Sequence, residues 1–322
     1  MSKRVKELCK KVIYPAWDIL DACIPPVSRW LIHRFYKFRA LNDLRIYKNA
    51  EYTHLGTYVT FYERPPAFYH KLLKTYHYDD RGIPQFVYEG RLLYNVVQIS
   101  QFGLMEYGYY LSTKDPVHRE NCIKSAQKLL EWQDERGGWP YEMDYPCPEV
   151  GDTLRSGWYS AMGQGQAISL LVRADSLQHD IRYQQAAYRA IELMKIPVEE
   201  GGLHRTFNGY SFLEEYPTKT PSYTLNGLIF CMIGLYDGYQ AFQIEEAGVL
   251  FETLCKTLHY ILPLYDDRYI SSYDLSHLTN APRRKLQNRK YHILHVKLLQ
   301  AITSIKNDNV YQFYIEKWRK TI

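Results

Sequence analysis

Two segments of this sequence bring together carboxylates and phenols, side chains that can take up and deliver protons. The first is the string GYSFLEEYPTKTPSYTLNG, in which Glu214, Glu215 and Tyr216 precede Pro217. Because proline restricts the backbone, this string is predicted to hold an acid/base pair on a rigid loop before a helix. Taken alone, an E-E-Y-P string is more often a solvated loop than a site.

The second segment runs from residue 262 to residue 278 and adds imidazole to the carboxylates and phenols. It supplies Tyr265, Asp266, Asp267, Tyr269, Tyr273, Asp274 and His277, and the helix after it is predicted to open with Tyr291, His292 and His295. Residues three apart on a helix share a face, so both helical histidines are expected to face the site. The spacing is not that of H-E-x-x-H and no third ligand stands out, so no metal site is predicted.

The charge pattern is compatible with an anionic ligand. The 322 residues include 40 Lys+Arg and 35 Asp+Glu, a formal net charge of +5, which is too mild for a nucleic-acid-binding tail, and no nucleic-acid partner is expected. A basic run lies directly before Tyr291 and consists of Arg283, Arg284, Lys285, Arg289 and Lys290. Such runs usually form a solvated face, but a basic rim beside a Tyr/His cluster also attracts a polyanion.

Composition and motifs exclude several classes of protein. With 46% hydrophobic and 23% charged residues the chain is neither collagen-like nor disordered. It has no P-loop, G-x-S-x-G or G-x-G-x-x-G motif, which removes support for P-loop nucleotide enzymes, nucleophile-elbow hydrolases and dinucleotide oxidoreductases. The 31 tyrosines suit either a carbohydrate-binding, proton-transferring surface or simply a Tyr-rich core.

The cysteines and the first residues bear on location. The six cysteines are scattered without C-x-x-C pairs, which indicates a reducing compartment. The amino-terminal region starts basic, but Asp18 and Asp21 interrupt its apolar run and no stretch is long enough for a transmembrane anchor. We therefore expect a cytoplasmic protein whose residues 1–53 form a helical extension; resting on an anionic membrane surface is the alternative to packing on its own domain.

The elements that must position these groups are predicted as helices in pairs. Residues 54–90, with the β-like run HLGTYVTFY, are expected to form a short strand-and-loop region, and residues 91–322 a catalytic domain. The pairs are 91–112 with 117–134, 156–175 with 180–196, 222–240 with 245–262, and 291–304 with 308–320. Gly163 and Gly165 fall inside a helix, where they would permit close helix packing or approach to a ligand.

Hairpins repeated every 65 to 70 residues predict a mostly α fold. Each hairpin buries one face against its neighbours, and a curved stack that closes is an α/α barrel, a toroid with loops gathered at one end. An open α/α solenoid is the competing architecture. The long, Tyr-rich connections favour the closed form because such loops are usually functional.

Several strings together resemble the carboxy-terminal domain of the D-glucuronyl C5-epimerases. They are YNVVQISQFGL (94–104), GWYSAMGQGQAISLLVRA (157–174), EEYP (214–217), PS-x-x-LNG (221–227), IGLYD (233–237), LPLYD (262–266), YDL-x-H (273–277) and YH-x-x-H (291–295). The resemblance covers about residues 55–320 in the same order. It implies an α/α barrel that inverts C5 of glucuronate to iduronate within a heparosan-like polysaccharide, without a redox cofactor, and it favours a homodimer.

The resemblance also implies roles for four residues. Glu215, Tyr216, Tyr273 and Tyr291 match functional positions of the family. Inversion at C5 needs one group to remove the proton from one face and another to deliver a proton to the other face, so Glu215 and Tyr291 are assigned to opposite faces, with base and acid left open. Tyr273 and Tyr216 are expected to hydrogen-bond the sugar or the developing enediolate.

The substrate-binding residues are expected to come from the helix starts and loops around these four. They are Tyr94, Gln98, Tyr159, Gln164, Gln166, Arg205, Lys219, His277, His292 and His295. Helix–helix hydrogen bonding explains Tyr94, Gln98 and the two glutamines equally well. No cofactor is expected, and a loosely bound divalent cation is left open.

One departure from the family pattern weakens the expected activity. Ser276 stands where the family has an arginine, so a cation for the substrate carboxylate is missing there. Lys219, Arg205 or Arg268 on neighbouring loops would have to replace it. The alternatives to an epimerase are a polysaccharide lyase using the same proton abstraction, and a catalytically inactive polyuronate-binding protein.

Overall fold

Helices dominate the computed structural model, which describes residues 51–60, 73, 76–148, 150–267, 270–279 and 289–322. The helices are α1 (Val96–Thr113), α2 (Pro116–Trp132), α3 (Ala161–Leu177), α4 (Ile181–Lys195), α5 (Leu225–Phe242), α6 (Glu245–Ile261), α7 (Ser276–Thr279), α8 (Arg289–Ile305) and α9 (Asn309–Arg319). The short strands are β1 (His77–Tyr78), β2 (Pro84–Tyr88), β3 (Arg91–Leu93), β4 (Tyr145–Cys147), β5 (Asp152–Leu154), β6 (His204–Phe207) and β7 (Tyr210–Leu213).

Polar caps fix where the long helices begin. The side chains of Asn95, Ser160 and Asp308 accept hydrogen bonds from backbone N–H groups in the first turns of α1, α3 and α9. Asp115 and Asp180 do the same for α2 and α4. These bonds satisfy donors that have no partner inside a helix, so the chain enters each helix at a defined residue.

The long helices form two layers. The inner helices α1, α3, α5 and α8 pack side by side in that order, and each is backed by the next helix along the chain, namely α2, α4, α6 and α9. The crossing of α3 and α5 is especially close, because a Cβ on Gly234 would lie 2.2 Å from the carbonyl oxygen of Gly165. The prediction that the Gly163–Gly165 string allows close helix packing is therefore confirmed.

Antiparallel strands precede three of the inner helices. β1, β2 and β3 form a sheet in that order before α1, with Val87 opposite Leu92, while β4 pairs with β5 before α3 and β6 with β7 before α5. Strands β3, β5 and β7 end at Leu93, Leu154 and Leu213, and a connecting segment leads from each of them into α1, α3 and α5. The strands therefore lie with the loops at one end of the helical layer.

Residues 51–60 close the other end of the inner layer. This segment contacts all four inner helices in their second halves: Tyr107 donates to the carbonyl of Leu55 (2.9 Å), Arg173 donates to the carbonyl of Gly56 (3.0 Å), and the Tyr52 hydroxyl binds Asp237 of α5. The backbone N–H of Tyr52 donates to Ser304 of α8 (2.9 Å). The inner helices thus surround this segment on several sides.

Several boundary predictions need correction. The β-like run expected at 54–62 is not a strand in its described part, 54–60, where turns dominate. The helices expected from 91, 156 and 222 begin at Val96, Ala161 and Leu225 because strand β3 and the extended backbones of Ser160 and Thr224 precede them. The expected helical extension lies outside the described residues apart from 51–53, and Tyr52 belongs to the core.

Candidate active site

The carboxylate and phenols singled out in the sequence meet at the amino-terminal ends of the inner helices. Glu215 packs on Gly227 in the first turn of α5, and Tyr291 lies in the first turn of α8. Asn226 of α5 donates to the sulfur of Met162 in the first turn of α3 (3.6 Å). Three helix amino termini therefore surround one region, which makes it electropositive and favourable for anionic groups.

Glu215 is buried and its carboxylate has few partners. It is 2% exposed, and Asn226 donates to its Oε2 at 3.1 Å. Burial raises the pKa of Glu215 to about 7, and the nearby charge of Asp274 raises it further, while the hydroxyl of Tyr216 and the amide of Asn226 act in the opposite direction. A carboxyl that titrates near neutrality is suited to remove a proton as a general base.

Because residue 227 is a glycine without a side chain, the side chain of Glu215 fits against α5 at this point. A Cβ on Gly227 would lie 2.4 Å from both the Cβ and the Oε2 of Glu215. Any side chain there would displace the carboxylate. The LNG string at the start of α5 thus fixes this acidic group in two ways, through the Asn226 amide and through the absence of a side chain at 227.

The three phenols form one cluster beside Glu215. The hydroxyls of Tyr216 and Tyr273 lie 3.4 Å apart, and the rings of Tyr273 and Tyr291 meet edge to face at 4.5 Å. Burial first, and then the negative charge of Glu215, raises the pKa of all three phenols. The three tyrosines are therefore neutral hydrogen-bond donors at neutral pH.

An aromatic wall that the sequence analysis missed borders this cluster. Tyr145 of β4 stacks on Tyr216 with ring centroids 5.3 Å apart, and Trp158 stacks on Tyr141 at 4.1 Å. Trp158 also contacts Tyr216 at 6.1 Å. The string PYEMDYPC carried a signal for these aromatic residues, because its two tyrosines precede α3 just as the Glu-Tyr loop precedes α5.

The loop that carries Glu215 is held by Arg205. This arginine of β6 donates to the carbonyl of Thr218 (2.7 Å) and to that of Lys219 (3.2 Å). The backbone N–H of Lys219 donates to Asp152 of β5 (2.7 Å). Arg205 was expected to bind substrate, which stays a prediction, and in the structure two of its guanidinium nitrogens hold the loop.

The prediction that both helical histidines face the site needs correction. His292 and His295 have no exposed surface, and both ring Nδ1 atoms lie within 3.0 Å of the Ser271 hydroxyl. The Nε2 of His292 lies 3.0 Å from Thr321 at the end of the chain. Burial, followed by the proximity of His292, lowers the pKa of His295 to about 3. The pair ties α8 to the carboxyl-terminal turn and does not face the phenol cluster.

Three further expected substrate-binding residues are buried in the helical layers. Tyr159 is 6% exposed and donates to Asp134 at 2.5 Å, so it orders the turn after α2. Gln164 and Gln166 of α3 are at most 1% exposed. None of the three offers a surface to a polymer.

The remaining expected residues lie at the surface near the helix starts. Tyr94 donates to Asp79 (2.7 Å) beneath the ammonium group of Lys128, and Gln98 in the first turn of α1 donates to the carbonyl of Gln85. The side chain of Lys219 is exposed on the Glu-Tyr loop, and His277 of α7 is half-buried. Ser276 hydrogen-bonds Asp274 through its hydroxyl (2.8 Å). Arg268 and residues 283–285 of the basic run lie outside the described residues.

Metal and membrane features were sought in the same part of the chain. Among the described residues no three His, Cys, Asp or Glu side chains are grouped as metal ligands. No helix within those ranges has the length and apolar character needed to cross a bilayer.

The fold and the site define a predominantly helical protein with a buried carboxylate set against several phenols, an arrangement for moving protons. Residues 133–320 match the family described as "D-glucuronyl C5-epimerase C-terminus". The chain belongs to this D-glucuronyl C5-epimerase family, whose match includes Glu215, Tyr216, Tyr273 and Tyr291.

Two individual proteins are similar to this chain. The chain is 35% identical over 213 residues to a D-glucuronyl C5-epimerase of Caenorhabditis elegans, covering 62% of this chain and 35% of that protein. It is 28% identical over 235 residues to an uncharacterized protein of Methanocaldococcus jannaschii, covering 66% and 72%. This chain therefore spans about a third of the length of the nematode relative.

One solved structure, described as UGL_D88N/dGlcA-Glc-Rha-Glc, aligns with this chain with a TM-score of 0.46 and 14% identity over 70% of this chain and 60% of its own. A similarity at this level carries no conclusion about the present chain.

Proposed function

We propose that this protein is a uronate C5-epimerase that converts D-glucuronate to L-iduronate residues within a heparosan-like polysaccharide. The observation that carries the proposal is the cluster of Glu215 with the phenols of Tyr216, Tyr273 and Tyr291 in a chain of this family. Family membership supports the reaction class, and the cluster supplies both a base and neutral acids for it.

In the proposed mechanism Glu215 removes the C5 proton as a carboxylate. The C5–H electron pair moves into the adjacent carboxylate of the sugar and gives an enediolate, which the hydroxyls of Tyr216 and Tyr273 stabilise by donating hydrogen bonds. Tyr291 then delivers its proton to C5 from the other face. The hydroxyl of Tyr273 lowers the pKa of Tyr291 against the effect of burial, which stabilises the phenolate left behind.

Electrostatics supports an anionic substrate in the same place. The amino termini of α3, α5 and α8 point their positive ends toward the cluster, which favours both the uronate carboxylate and the charge that develops on it. The exposed ammonium group of Lys219 lies on the same loop as Glu215. Ser276 stands where the family has an arginine, and we propose that Lys219 supplies the positive charge that is missing there. A Lys219→Met variant would then raise KM for the polymer.

We further propose that the two helical layers belong to a closed α/α toroid. Support comes from residues 51–60, which contact all four inner helices at the end opposite the phenol cluster. A segment enclosed in this way is expected in a closed ring and not in an open solenoid. A crystal structure of the whole chain would test the closure directly.

The activity test uses N-deacetylated heparosan in deuterated water. Epimerisation exchanges the C5 proton, so we expect deuterium at C5 and iduronate signals in the proton NMR spectrum. A lyase would instead produce an unsaturated uronate with new ultraviolet absorbance. A binding protein would retain the polymer without either change.

Variants connect that activity to the proposed residues. Glu215→Gln and Tyr291→Phe should each lower exchange at least 100-fold, the scale on which a positioned acid or base contributes. Tyr210→Phe is the matched control, since Tyr210 is a surface tyrosine that stacks on Tyr260 away from the cluster. Normal exchange in Tyr291→Phe would show that another group delivers the proton.

A further inference from the structure

Glu214 is a second buried carboxyl that the proposed chemistry does not use. It has no exposed surface, and its Oε2 accepts hydrogen bonds from the backbone N–H of Tyr223 (3.2 Å) and the hydroxyl of Ser222 (3.4 Å). Its other oxygen, Oε1, has no hydrogen-bond partner in the described part of the chain. A buried carboxyl that mostly contacts backbone is placed to shape the chain locally.

The segment that Glu214 contacts, residues 222–224, is an unusual turn. Tyr223 has a positive φ of 52°, a conformation that a bulky residue adopts only when its surroundings impose it. Tyr265 donates to the carbonyl of Tyr223 at 2.5 Å, and the Tyr223 hydroxyl donates to the carbonyl of Thr206 at 2.8 Å. Glu214 therefore supplies one of several bonds that hold this turn.

The same turn and the residue after it are bonded to the backbone at Tyr273 and at Leu275. The N–H of Leu275 donates to the carbonyl of Ser222 (2.9 Å), and the N–H of Leu225 donates to the carbonyl of Tyr273 (3.2 Å). A change in the 222–224 turn would thus move the Tyr273 backbone. Because the Tyr273 side chain contacts both Tyr216 and Tyr291, its placement affects the whole phenol cluster.

We propose that Glu214 is a positioning residue, which fixes the 222–224 turn and through it sets the place of Tyr273 against Tyr216 and Tyr291. The proposal rests on the proposed function only for its effect on turnover. Burial raises the pKa of Glu214 to about 8, with the charge of Arg205 acting in the opposite direction. The group is therefore largely neutral at pH 7, and a glutamine reproduces its hydrogen-bonding role.

The test compares Glu214→Leu with Glu214→Gln in protein labelled with 3-fluorotyrosine. Fluorine NMR reports the surroundings of each tyrosine, and the Tyr273 signal is assigned by its loss in Tyr273→Phe. We expect Glu214→Leu to shift that signal and to lower kcat roughly tenfold or more while KM changes little, because misplaced catalytic groups slow the chemical step. Glu214→Gln should keep the Tyr273 signal and the kcat of the parent protein. Glu135→Leu, at an exposed loop position, is the control.

A second variant acts on the same turn from the other side. Tyr265→Phe removes the hydroxyl that bonds the Tyr223 carbonyl and should shift the Tyr273 signal without any change at Glu214. An unmoved Tyr273 signal in Glu214→Leu overturns the proposal whatever Tyr265→Phe does, as does a loss in Glu214→Gln equal to that in Glu214→Leu. If the shifts occur but the parent protein epimerises no uronate polymer, the proposed function fails and the positioning role stands.

Discussion

Glu214 and Glu215 are adjacent and both buried, yet their surroundings give them different chemistry. Glu214 bonds to the backbone of a turn, whereas Glu215 bonds to one amide and lies against three phenols. Burial raises both carboxyl pKa values, to about 8 and about 7. At pH 7 a substantial fraction of Glu215 is therefore ionised and available as a base, while Glu214 is mostly neutral.

The pH dependence of turnover follows from the pKa of Glu215. Since the base must be deprotonated, kcat/KM should rise about tenfold per pH unit below about 7 and level off above it, with the phenols still neutral there. Removing the Asn226 amide takes away a donor that favours the carboxylate, so Asn226→Ala should move the midpoint to higher pH. An exposed Asn307→Ala control should leave it in place. A midpoint unchanged in Asn226→Ala would contradict this assignment.

The sequence was informative about residues that do chemistry and less so about their neighbours. The Glu-Tyr, Y-D-L and Y-H-x-x-H strings, together with the family resemblance, led to Glu215, Tyr216, Tyr273 and Tyr291, which the structure brings together. The prediction for His292 and His295 was wrong because helical spacing shows only that two residues share a face. It does not show whether that face is a site or a packing surface. Tyr145 was missed because its strand-and-loop region has no helical period to place it. Trp158 was placed inside the helix predicted from residue 156, whereas it lies in the extended segment before α3.

At the scale of elements, the hairpins could be predicted because apolar period, caps and breaks agree along the chain. All eight long helices expected from the sequence are present within a few residues of the expected bounds. The starts of α1, α3 and α5 were placed too early because strand β3 and the extended backbones of Ser160 and Thr224 precede these helices. The contacts of residues 51–60 with all four inner helices could not be predicted, because local patterns do not encode contacts between residues far apart in the sequence.

The crossing of α3 and α5 gives an element-scale prediction. Gly234→Ala places a methyl group 2.2 Å from the carbonyl oxygen of Gly165, a backbone atom that cannot rotate away, so the helices must separate. We expect a loss of about 1–3 kcal/mol or more in the free energy of unfolding, measured by urea denaturation. Gly238→Ala, one turn along the same helix, meets only side chains, those of Ile168 at 3.3 Å and Ile191 at 3.9 Å, and should be nearly neutral. Equal stability of the two variants would contradict the close crossing.

At the scale of the whole molecule, the two ends of the inner layer have opposite characters. The amino-terminal end carries the phenol cluster, whereas the other end holds a buried ionic network around Arg173. This guanidinium donates to Asp237 (2.8 Å), to the Tyr52 hydroxyl (3.0 Å) and to the carbonyl of Gly56 (3.0 Å). The network joins α3, α5 and the 51–60 segment, and it lies where helix carboxyl termini favour a cation.

The ion pair of Arg173 with Asp237 therefore predicts how substitutions at this end of the molecule change its free energy of unfolding. Arg173→Met leaves the Asp237 carboxylate buried without its cation, which should lower the free energy of unfolding by about 3–5 kcal/mol in urea denaturation. Replacing both residues, with Arg173→Met and Asp237→Leu, removes the unpaired charge and should recover part of that loss.

Arg182→Met is the matched control, because its pair with Asp180 is at the surface and should contribute less than about 1 kcal/mol. A single Arg173→Met variant as stable as that control would mean that the network does not hold 51–60 in place. Since the network lies at the far end from Glu215, the folded fraction of each variant should keep the exchange rate of the parent protein.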